Sequence, residues 1–211
     1  MNFLNPPKEL KIIIDSEKID FLIKSKRNYP KKKSVSLLFF SFFWIAFTSI
    51  FVFAFLGPIF KGKEVHFSSN NIAVVASPEN LEPLLIPGLV IGLFLIVGIG
   101  MLIWAIILFF QDGAYFVGTK TRLIKFRKGN ITIKDWEQFT GSINIKSNGN
   151  YGDIELELRT GKMKSRKNRS DVFIPDIIYI SQIENVFNIE KKCRIRIKEN
   201  DPTPAITSGS L

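Results

Sequence analysis

Side chains able to do covalent chemistry are scarce in this chain of 211 residues, which holds one histidine, His66, and one cysteine, Cys193. A nucleophile needs a base within hydrogen-bond reach, and a zinc site needs several imidazoles or thiolates. Neither set can be assembled here, and a lone cysteine also excludes an internal disulfide. His66 reads as an exposed loop residue and Cys193 as a small core or boundary residue. Glu155 and Glu157 recur at period two, the pairing that general acid–base chemistry uses. Arg159 follows them at the same spacing, so they are expected to form a salt-bridged solvent face. Fourteen glycines supply neither a GxxxxGK[ST] phosphate loop nor a GxGxxG fingerprint. The expectation is a protein that is not an enzyme and carries no cofactor and no metal.

The remaining chemistry is cationic. Lys and Arg number 29 against 19 Asp and Glu, a net charge of +10. Three clusters stand out: Lys31, Lys32 and Lys33; Lys120 and Arg122, followed by Lys125, Arg127 and Lys128; and Lys162, Lys164, Arg166, Lys167 and Arg169 in one expected loop. Each cation near an anionic bilayer surface gains about 1 kcal/mol, which makes the first and third clusters, with Lys120 and Arg122, candidate contacts for lipid headgroups. Anchoring of a membrane span is the ordinary explanation of Lys31 to Lys33. A solvated loop is the ordinary explanation of Lys162 to Arg169, with headgroup contact second and an acidic protein partner third. Nucleic acid is not an expected partner, because no aromatic-basic single-strand motif accompanies the charge.

Two uncharged stretches must position these groups: the 27 residues between Lys33 and Lys61 and the 29 between Glu82 and Asp112. A hydrocarbon core about 30 Å thick takes roughly 20 apolar residues of helix, so either stretch can cross it. From Val35 to Leu56, 15 of 22 residues are Leu, Ile, Phe or Val, and from Pro87 to Phe110, 16 of 24 are. Gly57-Pro58 supplies a break after the first, since proline lacks the amide proton and clashes with the preceding turn. Pro87 suits the first turn of the second, and Gln111-Asp112-Gly113 closes it. Transmembrane helices are therefore expected over 35–60 and 84–110, joined by an extracytoplasmic loop over 61–83. Nine Lys and Arg lie in residues 1–34 and two in 57–83, which places both termini in the cytoplasm of a multi-pass protein of the cell inner membrane. Neither stretch holds an ionisable side chain, which disfavours a transporter. Gly88 and Gly92 form a GxxxG spacing, a candidate packing face for the chain's own first span or for a second copy.

The flanks are patterned differently. In the N-terminal segment, 1–34, Ser16 is placed to cap an amphipathic helix running to about Arg27. After Gly113 the apolar period becomes two. Ile124 and Phe126, Ile131 and Ile133, Ile143 and Ile145, and Ile154, Leu156 and Leu158 alternate with polar residues across glycine-bearing turns, the signature of antiparallel hairpins. A further short strand covers Val172 to Ile174. Ser181 and Glu184 have capping-box spacing ahead of a helix to about Lys198. The domain is expected to occupy 111–200, and 201–211 to be a disordered tail.

Tyr115-Phe116-Val117-Gly118-Thr119-Lys120-Thr121-Arg122-Leu123-Ile124 resembles the opening hairpin of bacterial pleckstrin-homology-like (PH-like) membrane proteins, in which a Tyr-x-x-Thr-x-x-Arg-Leu pattern begins the domain. Gly118 lengthens the Tyr-to-Thr spacing by one. The resemblance continues through residues 136–143, 152–161 and 173–176 and covers about residues 85–200 with the second span. It implies seven strands in a strongly bent barrel-like sandwich closed at one end by a helix, and it brings no catalytic residue. The fold class expected is an α+β membrane protein: a two-helix transmembrane hairpin with a cytoplasmic PH-like antiparallel module capped by a C-terminal helix. Its expected function is binding, to anionic lipid headgroups or to a membrane protein partner, the alternative being an accessory or assembly subunit of a larger membrane complex.

Overall fold

The computed structural model describes residues 6–69, 71–149, 151–166 and 169–202, so the expected tail from Thr203 onward lies outside them. The chain divides into two compact units, Lys32–Phe110 and a second built from Met1–Lys31 together with Gln111–Leu211. The domain expected from sequence over 111–200 thus takes in the N-terminal segment as well.

Two long helices make the first unit, α2 (Lys31–Phe60) and α3 (Leu85–Phe110), the latter preceded by a 3-10 turn over Glu82–Leu84. Both are long and apolar enough to cross a membrane. Helix α2 runs past the expected break because Pro58 falls in its last turn, where losing one amide donor costs a single intrahelical bond and the chain closes with Lys61 N–H and Lys63 N–H donating to Pro58 O. Between the helices, Val65–Ser69 and Ile72–Ala76 pair as an antiparallel hairpin, β2 and β3, a structure the turn signals there did not announce.

Gly98, rather than Gly88 or Gly92, is where the two helices meet closely. A Cβ on Gly98 would lie 2.7 Å from Trp44 Cδ1, whereas at Gly88 and Gly92 it would meet nothing within 4 Å. Those two glycines border an apolar cavity of about 100 Å³ beside Phe55 and Leu84. The bare backbone at Gly98 lets the Trp44 indole stack on Phe94 at 5.5 Å and donate Nε1–H to Phe94 O at 3.0 Å. That bond satisfies the indole donor across the contact between the two helices.

The second unit starts with helix α1 (Lys8–Ile14) and strand β1 (Ile19–Lys24). The helix expected from Ser16 to Arg27 does not form. Its apolar residues Phe21, Leu22 and Ile23 instead pair with Gly118, Val117 and Phe116, and this long-range ladder overrides the local 3.6 spacing. Strands β4 (Tyr115–Thr119), β5 (Arg122–Arg127) and β6 (Asn130–Asp135) complete an antiparallel sheet in the order β1-β4-β5-β6. Lys128 and Gly129 both have positive φ, 48° and 82°, the two-residue type I′ turn that joins β5 to β6. Strands β7 (Phe139–Asn148), β8 (Tyr151–Arg166) and β9 (Arg169–Glu184) make a three-stranded antiparallel sheet, and α4 (Val186–Glu199) ends the unit. No ladder closes the two sheets into a barrel among the described residues.

Trp136, Phe116, Leu123, Ile154, Leu156, Ile180 and Cys193 are among the residues of the main core. The Trp136 indole is satisfied there by donating to Thr119 O at 2.9 Å. Ile124 and Phe126, the alternating face read from sequence, pack away from that core with Val117, under Leu10 and Ile14 of α1. The central strands β4 and β5 are therefore covered on both faces, which is why Tyr115–Thr119 reads as a nearly continuous apolar run, whereas edge strand β6 leaves Ile131 and Ile133, expected on a buried face, exposed. Two further expectations fail near the C-terminus. Residues 162–166 are strand rather than loop, while the strand expected at Val172 to Ile174 is present and runs over 16 residues. Ser181 and Glu184 form no capping box, because both lie in β9, where Glu184 stands opposite Tyr151 and Ser181 bridges to Arg27, and α4 starts only after Asn185 turns into the left-handed region.

A candidate anion-binding groove

Where β1 ends and β4 begins, the backbone is stitched tightly. Ser25 N–H donates to Ala114 O at 2.9 Å, Ala114 N–H donates to Ser25 Oγ at 2.9 Å, and a Cβ on Gly113 would lie 1.7 Å from Ser25 O. Only glycine fits position 113. Arg27 then bridges to both Asp112 and Ser181, bringing the end of the four-stranded sheet against the end of β9.

Between those ends and the start of α4 lies an open groove of about 910 Å³. Four cations line it: Lys24, Lys26, Arg127 and Lys128. The Lys24 ammonium sits 5.2 Å from the Tyr115 ring centre and the Lys26 ammonium 3.9 Å from that of Tyr151, which aims each along its strand end by cation–π attraction. Both acids of the groove are occupied. Asp112 is bonded to Lys128 Nζ at 2.6 Å, which holds its carboxyl below the usual range, and Glu184 accepts the Tyr151 hydroxyl at 2.7 Å. Lys24, Lys26 and Arg127 make no ion pair among the described residues, and Arg127 Nε is buried without a hydrogen-bond partner. The amide side chains of Gln182, Asn185 and Asn188 add neutral donors. Such a site can hold a phosphate or carboxylate by charge and by fork-shaped guanidinium donation.

The cations singled out in the sequence do not converge on one surface. Arg122 is committed to Glu17 and to Ile13 O, where it ties α1 to the turn between β4 and β5. Lys120 borders a different cavity, of about 580 Å³, beside Asp20 and Arg196. Asp20 there receives a two-pronged bond from Arg196, with Nε at 2.5 Å and Nη2 at 2.7 Å, and this guanidinium holds the Asp20 carboxyl below its ordinary range. Lys192 Nζ adds a bond to Asp20 O at 2.8 Å, so β1 is clamped onto α4. Lys162, Lys164 and Arg166 lie along β8; Lys167 and the side chain of Arg169 are outside the described residues. Lys31, Lys32 and Lys33 open α2. Lys24 and Lys26 lie in the segment whose local spacing suggests a helix, which hides them as groove residues; the period-two spacing Leu22, Lys24, Lys26 is the signal for the strand that places them there.

Other chemistry-bearing groups stand apart. His66 is exposed on β2, 3.6 Å from Glu64. Cys193 is buried, and desolvation pushes its thiol up to about 12. Glu155, expected on a solvent face, is buried and paired with Lys146 at 2.9 Å, while Glu157 accepts a bond from Thr140. Among the described residues no group of acids, Cys and His is arranged to hold a metal ion. Compared with protein-family models, with curated proteins and with solved structures, the chain matches none.

Proposed function

We propose that this chain is a non-enzymatic bacterial inner-membrane protein whose β-rich unit is a PH-like module that binds the anionic headgroups of phospholipids. The observation that carries the reading is the groove, where three cations lack carboxylate partners at the point of the chain that leads into α2 and out of α3. Lys26 precedes the first residue of α2 by five positions, and Asp112 follows the last of α3 by two. Two crossings return the chain to the side it left. The pairing of β1 with β4 is consistent with that, since it needs residues before α2 and after α3 on one side of the membrane, and the nine cations of residues 1–34 favour the cytoplasmic side. The seven strands of the four-plus-three arrangement equal the number that the resemblance implies, but only six of them, β4 to β9, lie within the residues it covers; β1 is supplied from before α2.

The test uses the full chain in nanodiscs of phosphatidylcholine with a minor fraction of phosphatidylglycerol, followed by mass spectrometry of the lipid retained on release. The wild type is expected to retain phosphatidylglycerol preferentially. At about 1 kcal/mol per cation, replacing Lys24, Lys26 and Arg127 together by Ala should reduce that preference by more than about tenfold. Equal retention of both lipids by the wild type overturns the reading.

A further inference from the structure

Strand β7 accompanies β8 only as far as Leu158, which pairs with Phe139. From Arg159 to Arg166, β8 has β9 on one side and, among the described residues, no strand on the other, so this part of the hairpin is a two-stranded arm. A two-stranded ribbon is marginal in water and leaves a row of unpaired backbone donors and acceptors along each edge. The arm's apolar residues are uncovered too: Met163 is 65% exposed, Phe173 47% and Ile174 47%. Register sorts its faces. Met163 stands opposite Phe173 on one face, while Lys162 opposite Ile174 and Lys164 opposite Val172 share the other. Within residues 159–176 the sequence holds six Lys and Arg against two Asp. Asp176 already accepts the Thr160 hydroxyl at 3.0 Å.

We propose that the free edge of β8 over residues 159–166 receives an extended segment of a partner protein, added as a third strand, in which acidic and apolar residues alternate. Period two puts the acids of such a segment beside Lys162 and Lys164 and its apolar residues beside Met163, and a backbone ladder satisfies the open edge. A second copy of the arm is disfavoured as occupant, because pairing two such edges opposes Lys to Lys. This inference is independent of the groove, which lies at the Tyr151 end of β8.

The experiment is amide hydrogen exchange on the full chain in phosphatidylcholine nanodiscs, with acetyl-(Glu-Val)₄-amide as the probe. Saturable protection of residues 159–166 by more than about tenfold is expected. The peptide (Lys-Val)₄ should give none, and the double variant Lys162→Glu/Lys164→Glu should exchange the two preferences. Four outcomes overturn the proposal: no protection by the Glu-Val peptide; equal protection by a peptide of the same composition with its four Glu in a block; protection by phosphatidylglycerol vesicles alone, which assigns the arm to a membrane; and protection that grows with protein concentration alone, which assigns it to a second copy.

Discussion

The base and the arm of the β8–β9 hairpin are made of the same two strands with the same alternation, yet their apolar residues have opposite fates. In the base, Ile154, Leu156 and Leu158 are buried, flanked by β7 and packed in one core with Val186, Ile189 and Cys193 of α4. In the arm, Met163 and Phe173 meet solvent. Alternation sets which side chains share a face. Burial of that face requires a third strand or a helix laid over it, and β7 pairs no further than Leu158. Gly161 marks the joint: a Cβ there would fall 2.3 Å from Ile174 O and 2.6 Å from Phe173 Cζ, so where the base gives way to the arm β9 leaves no room for a side chain on β8.

Three measurements sharpen or break this contrast. The largest effect is expected at the base, where Leu156→Ala should cost about 2–5 kcal/mol through lost burial and the cavity left behind. Thermal unfolding of the detergent-solubilised chain reads it, and a shift in midpoint near zero would show that the base is no better packed than the arm. At the joint, Gly161→Ala should cost about 1–3 kcal/mol, confined to the arm. Amide exchange is expected to accelerate over residues 162–174 while residues 154–158 keep their protection; acceleration of both would make base and arm one cooperative unit. Smallest in energy is a comparison of thiols. In the variant Met163→Cys the new thiol should react with iodoacetamide at pH 8 while Cys193 stays unmodified until the chain unfolds, as mass spectrometry of the two peptides would show. With its thiol pushed up to about 12 from 9.0, Cys193 keeps a proton that the unfolded chain releases. Its contribution to stability is therefore complete below about pH 9 and declines as pH rises toward 12. Labelling of Cys193 as fast as position 163 would contradict the buried base.

Sequence alone determined the elements whose cause is local. Charge-free runs of 27 and 29 residues specify two long apolar helices, because no ionisable side chain breaks them. Period-two alternation with Lys128-Gly129 specifies the β5–β6 hairpin, because that turn needs two residues with positive φ. Tertiary structure decided what depends on partners distant in the chain. Phe21 to Lys24 became a strand because Tyr115 to Gly118 offered a ladder beyond two membrane-length helices, and no local propensity reports such a neighbour. The same holds for Trp44, whose donor finds Phe94 O only because Gly98 leaves room. It holds for the groove as well. Lys24 and Lys26 stand with Arg127 because Ser25 and Ala114 exchange hydrogen bonds, and burial and charge convergence are properties of the folded arrangement that spacing along the chain does not encode.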